Sequence, residues 1–211
     1  MRTQSLAGAW RFRQAGTAEW LPATVPGGAH TDLLALGRIP DPFVGDNERR
    51  VQWVAEADWQ YRTAFTTDPA LGARERVWLV ADGLDTLATV TLNGRALGQT
   101  DNMFRQYRWD VTALLQDRNE LVIDFASPVR AATAGQVARP LFGVPQAIPG
   151  GPHLRKAPCQ FGWDWGPVTI TCGIWRPISL VAFNVARLTD VQVRQDHTVA
   201  VALGLEGGMG A

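Results

Sequence analysis

The sequence predicts an all-β fold, a jelly-roll β-sandwich, and three observations carry that expectation. Segments of alternating apolar and polar residues recur along the chain at the period of two that a half-buried strand requires. They are short and separated by turn residues at hairpin-like intervals, whereas helical pattern is confined to two brief stretches. The 211 residues, 46% hydrophobic and 19% charged, suit a chain that buries a core without disulfides and exclude a disordered tail or a solvated charge brush.

Along the chain, residues 30–36 read as a short helix stopped at Gly37, and a turn or two of helix follows at 48–54. At 59–66 the residues Trp59, Tyr61 and Phe65 share one face while Gln60, Arg62 and Thr66 share the other, as in a sandwich strand. Residues 76–81 and 86–92 read the same way, and Asn93-Gly94 after the second is a strong hairpin signal. Further strands are expected at 107–111, 121–125, 168–172 and 178–183. Between them, residues 128–167 hold seven prolines and six glycines without clean alternation, which reads as one long loop whose aromatic second half is ordered and functional. Two strand-like runs, 186–194 and 198–205, close the sequence, and two strands cannot bury a face of their own. A boundary is therefore expected near Asn184, with residues 1–184 forming the sandwich and residues 185–211 the truncated start of a second β domain.

Twenty basic residues cancel twenty acidic ones, so the chain lacks the positive field that nucleic acid or an anionic membrane surface demands. The first ten residues hold no continuous apolar stretch and no run of about 18 apolar residues occurs, so a soluble, cytoplasmic chain is expected. Cys159 and Cys172 have no metal-ligand spacing around them and read as free buried thiols, a single disulfide being open but not implied; no cofactor and no metal is expected. Trp10, Trp53, Trp59, Trp78 and Trp109 are assigned to the core, Arg176 to stacking or pairing beside Trp175, and residues 41–48 to turn chemistry.

Nucleophile elbows, phosphate loops, paired metal-binding histidines and dinucleotide fingerprints are all missing from the sequence, and His30, His153 and His197 stand isolated. The informative segment is residues 150–167, where Gly162, Gly166 and Pro167 frame Trp163-Asp164-Trp165. Two readings stand on these residues alone. A carboxylate beside an indole suits vicinal sugar hydroxyls and the apolar side of a sugar ring; equally, two tryptophans can plug a sandwich end while Asp164 caps a turn. Lys156, the lone lysine among twenty basic residues, falls within the same segment.

Taken in order, Val25-Pro-Gly-Gly-Ala-His-Thr-Asp-Leu-Leu34, Ile39-Pro-Asp-Pro-Phe-Val-Gly-Asp-Asn-Glu48, Val51-Gln-Trp-Val54, Asp58-Trp59, Gly83-Leu-Asp-Thr86, Leu92-Asn-Gly94, Arg155-Lys156, Phe161-Gly-Trp-Asp-Trp-Gly-Pro167 and Gly173-Ile-Trp-Arg-Pro177 resemble the N-terminal domain of the β-mannosidases of glycoside hydrolase family two. The resemblance implies a galactose-binding-like jelly roll, followed in the intact enzyme by an immunoglobulin-like sandwich and a (β/α)₈ barrel that bears two catalytic glutamates. It further implies a loop of the first domain that contacts mannose in the −1 subsite, through Trp163 and Asp164, with Asn102 where relatives place another contact; Lys156 is a further candidate contact only because a lone lysine among arginines hints that a compact ammonium is wanted there. The barrel takes about 250 residues. Only 27 residues follow Asn184, so no catalytic residue is expected in this chain, which reads as a fragment or a truncated product and as inactive by itself. The alternatives are a free-standing lectin-like module, which needs a complete site of its own, and an interface platform with no sugar contact.

Overall fold

The computed structural model describes residues 1–145, 147–196 and 198–207. Its elements run β1 (Arg2–Ser5), β2 (Gly8–Gln14), β3 (Leu21–Val25), α1 (Ala29–Ala35), α2 (Asn47–Arg50), α3 (Trp53–Glu56), β4 (Trp59–Thr66), α4 (Pro69–Gly72), β5 (Arg76–Ala81), β6 (Ala88–Leu92), β7 (Arg95–Thr100), β8 (Tyr107–Asp110), β9 (Arg118–Phe125), α5 (Pro128–Ala138), β10 (Ile178–Phe183), β11 (Ala186–Asp196) and β12 (Thr198–Gly207). Two antiparallel sheets result, one of six strands in the order β3-β2-β4-β9-β6-β7 and one of four in the order β1-β10-β5-β8. The fold is an all-β sandwich, as expected.

Alternation translates directly into the core. Trp59 and Tyr61 on β4 and Phe12 on β2 face the opposite sheet, with Phe12 stacked on both rings at 5.4 Å and Phe125 edge-on to Tyr61 at 5.7 Å. Leu79 on β5, Ile123 on β9 and Leu180 on β10 join them in one apolar cluster. The Asn93-Gly94 turn carries positive φ at both residues, 51° and 78°, and joins β6 to β7 as the two-residue hairpin its composition demands.

Several local expectations need correction. Three strands, β1, β2 and β3, were not expected, and β7 was implied only by the Asn93-Gly94 hairpin; β1, β3 and β7 are sheet edges, where ladder hydrogen bonds rather than burial hold the strand and alternation is weak. The long loop opens instead with helix α5, which starts on Pro128 and is capped by Ser127, whose Oγ accepts from Arg130 N at 3.1 Å. Residues 168–172 are not a strand. Val168 N donates to Glu48 Oε2 and Thr171 N to Gln160 Oε1, so side chains take the donors a ladder would use. Trp53 is 40% exposed on its single-turn helix, Trp78 and Trp109 are half-buried, and Cys159 is exposed while Cys172 alone is a buried thiol. Arg176 does stack on Trp175, 4.2 Å from the ring centre. His197 lies outside the described residues.

β11 and β12 pair with each other and with neither sandwich sheet. Their base is tied to the sandwich where Asn184 Oδ1 accepts from Glu75 N and Val185 N donates to Glu75 Oε2.

Candidate functional site

The segment from Gly150 to Pro167 leaves the sandwich, forms a small second core and turns outward. Gly150, at φ 93°, brings the chain so close to α5 that a Cβ there would lie 2.4 Å from the Ala132 carbonyl oxygen, so only glycine permits this approach. Phe161 then plugs a cluster with Ala55, Ala132 and Ile170 and is 2% exposed. Gly162, at φ 97°, reverses the chain directly after this anchor. Hence Phe161 points inward while the following Trp163-Asp164-Trp165 forms the tip.

At that tip Trp163 is 46% and Trp165 78% exposed. Asp164 is exposed as well, and among the described residues its carboxylate has no hydrogen-bond or ion-pair partner. The tryptophans therefore do not plug the sandwich end and Asp164 caps no turn. Both indoles border a cavity of about 1090 Å³ whose other walls include Asn102, Phe104, Phe142 and Arg155. Asp164 stands beside that lining rather than within it.

Asn102 reaches the cavity through pairing across the fold. It forms a bridge with Arg155, reinforced by Met103 N donating to Arg155 O at 3.0 Å. Its Oδ1 accepts from Phe104 N at 2.9 Å, so what the side chain offers the cavity is its amide nitrogen. The sequence-predicted residues Asn102, Lys156 and Trp163 thus meet around one cavity.

Lys156 has a different task from the direct contact expected of it. Its side chain is fully buried, and Nζ donates to Asp85 Oδ1 at 2.5 Å, to Asp85 Oδ2 at 2.6 Å and to Thr171 O at 2.7 Å. An ammonium has three donors, and all three are committed. Asp85 also accepts from Thr86 Oγ1 and, at 3.4 Å, from Gln160 Nε2. Burial lowers the Lys156 pKa while the Asp85 carboxylate opposes that shift. His30, 8% exposed with Nδ1 unpartnered, is pushed down to about 4, chiefly by burial and further by the Lys156 ammonium. Burial likewise drives the Cys172 thiol upward, so it stays protonated. Asp85, Gln160 and His30 were not singled out as site residues, because what marks Asp85 and Gln160 is their hydrogen bonding across distant parts of the chain and what marks His30 is its burial near the Lys156 ammonium.

Among the described residues no three His, Cys, Asp or Glu side chains gather where they could hold a metal ion, and no helix is long and apolar enough to cross a membrane.

The glycosyl hydrolase 2 galactose-binding domain-like family matches residues 10–176. The chain belongs to that family. β-Mannosidase B of Thermothelomyces thermophilus is 43% identical to this family 2 domain over 188 residues, which cover 86% of the chain and 22% of the relative. Mouse β-mannosidase is 38% identical over 192 residues, covering 87% of the chain and again 22% of the relative. The crystal structure of a β-D-mannosidase from Dictyoglomus thermophilum superposes with a TM-score of 0.88 at 37% identity, over 97% of this chain and 26% of that one. The family 2 domain therefore spans about a fifth of the length of the curated relatives it matches.

Proposed function

We propose that this chain is the N-terminal sugar-binding domain of a retaining β-mannosidase and that it presents Trp163 and Asp164 to the mannose in the −1 subsite. The observation that carries this reading is the loop tip, an unpartnered carboxylate between two exposed indoles. A carboxylate accepts charge-assisted hydrogen bonds from two vicinal hydroxyls, and an indole face packs on the C–H side of the ring. The Asn102 amide nitrogen adds a donor at the same cavity, and Lys156 holds the wall behind it.

The similarity to β-mannosidases, over about a fifth of their length, supports an immunoglobulin-like sandwich and a (β/α)₈ barrel elsewhere in the intact protein. Residues 185–211 begin that second domain, in keeping with a hairpin bonded to neither sandwich sheet. One barrel glutamate attacks the anomeric carbon, the other protonates the leaving oxygen, and water then releases the sugar. This domain contributes no reacting group; it holds the ring in place. Exposed Phe104, Phe142 and Trp165, at 55%, 93% and 78%, form an apolar face that the other domains cover.

Asp164→Ala in the full-length protein tests the reading. Removing a charge-assisted acceptor from a closed site strands the sugar's hydroxyl donors, at about 2–4 kcal/mol, so kcat/KM for an aryl β-mannoside falls about 30-fold to 1,000-fold. The melting temperature stays near that of the parent, since Asp164 is exposed and has no hydrogen-bond or ion-pair partner among the described residues. A destabilised but fully active variant overturns the assignment.

A further inference from the structure

We propose that Lys156 and Asp85 form a clamp at the neck of the 157–170 loop and act as positioning residues that aim Trp163 and Asp164 at the sugar. The proposal rests on the subsite reading above. One buried carboxylate gathers both limbs of the loop. Lys156, on the outgoing limb, binds both Asp85 oxygens; the same ammonium holds Thr171 O on the returning limb, and Gln160 spans the two by donating weakly to Asp85 and accepting from Thr171 N. Asp85 is itself fixed to the returning limb, because its backbone exchanges both hydrogen bonds with Gly173, at 2.9 and 3.0 Å. Met103 completes the neck, its Sδ accepting from Ala157 N and its carbonyl from Trp175 Nε1.

Cohesion alone does not call for charges here. A buried ion pair spends most of its attraction on desolvation, and apolar residues of similar volume hold a fold as well or better. What the pair supplies is direction: a three-donor ammonium on a fixed carboxylate admits few arrangements of the two limbs, whereas an apolar contact admits many. The main sandwich core lies elsewhere, and among the described residues the loop beyond its neck is held by a small cluster of Phe161 and Ile170 with Ala55 and Ala132 and, at Val168, by hydrogen bonds to Glu48 and Gln52. The neck therefore sets where the tip stands relative to the cavity. For a subsite the consequence is large, since a misplacement near 1 Å at reacting geometry costs about 100-fold in rate.

Lys156→Met alone strands the Asp85 carboxylate in the interior and is expected to destabilise the fold, so the informative variant is the pair Asp85→Asn with Lys156→Met, which removes both charges and keeps the volume. In the full-length protein two quantities are read: amide hydrogen exchange of residues 157–171 against β4 and β9, and kcat/KM for p-nitrophenyl β-D-mannoside, with Asp164→Ala alongside. The clamp predicts that exchange accelerates about tenfold or more in the loop alone, and that kcat/KM falls about 10-fold to 100-fold. If loop protection and kcat/KM both persist in the double variant while Asp164→Ala loses activity, the clamp is wrong and the subsite stands. Exchange that rises equally in β4 and β9 also overturns the clamp, because the pair then serves the whole fold. If the loop loosens and Asp164→Ala is silent, the subsite reading fails and the positioning role fails with it.

Discussion

A buried histidine shows how burial, helped by a nearby ammonium, can make a single residue sensitive to pH. His30 is folded into the domain in its neutral form, its pKa moved from the usual 6.5 to about 4. Between these values the unfolded chain binds a proton at residue 30 that the folded chain does not, so stability rises with pH across the window and is lost as pH falls from 6.5 towards 4. The full loss amounts to about 3 kcal/mol. Asp32, whose carboxyl is raised by burial, works in the opposite sense, because there the folded state holds the extra proton. Comparing the parent with His30→Phe separates the two: the melting temperature of the parent should drop more between pH 7 and pH 4.5 than that of the variant. Equal drops would mean that His30 is as easily protonated folded as unfolded. The same physics keeps Lys156 out of direct ligand work, since an interior ammonium is tolerable only with its donors satisfied.

Among the elements, α5 is the one whose placement matters most to the loop, because it forms the floor against which Gly150 and Phe161 pack. Its start depends on Ser127, 1% exposed, whose Oγ accepts from Arg130 N and donates to Ala55 O at 2.8 Å. Ser127→Ala removes the cap and leaves a buried carbonyl unpaired, for a cost of about 1–2 kcal/mol, or about 2–8 °C of melting temperature in a domain this size. A thermal scan checks this, and a change within about 1 °C would show that α5 does not need its cap. This helix was not foreseen, because the prolines and glycines of residues 128–167 read as one long loop. Strands β4, β5 and β10 were legible to the residue because each buries one face or more in the interior. β1 and β3 were not, since an edge strand is chosen by its neighbour's unpaired backbone groups rather than by its own pattern; β7, also an edge, was announced only by its turn.

For the whole molecule, the proposed function makes the loop tip one wall of a subsite and not a closed pocket. The 211-residue chain alone is accordingly expected to show no turnover of an aryl β-mannoside and to bind mannose no tighter than about millimolar, because solvated hydroxyls gain little from a partial site. Isothermal calorimetry giving a micromolar constant would argue for a free-standing sugar-binding module. What the sequence by itself determined is local in origin: period-two alternation named the sandwich, Asn93-Gly94 named a hairpin, and the ordered motifs named the family. The Trp163-Asp164-Trp165 segment was visible as chemistry, but two readings of it stood open. Only the tertiary structure showed that the indoles and carboxylate face outward, and that the Lys156 ammonium is committed to a carboxylate 71 residues away. The physical reason is that periodicity and turn preference act between neighbours in the chain, while the partner of a buried charge is decided by which strands the two sheets bring together.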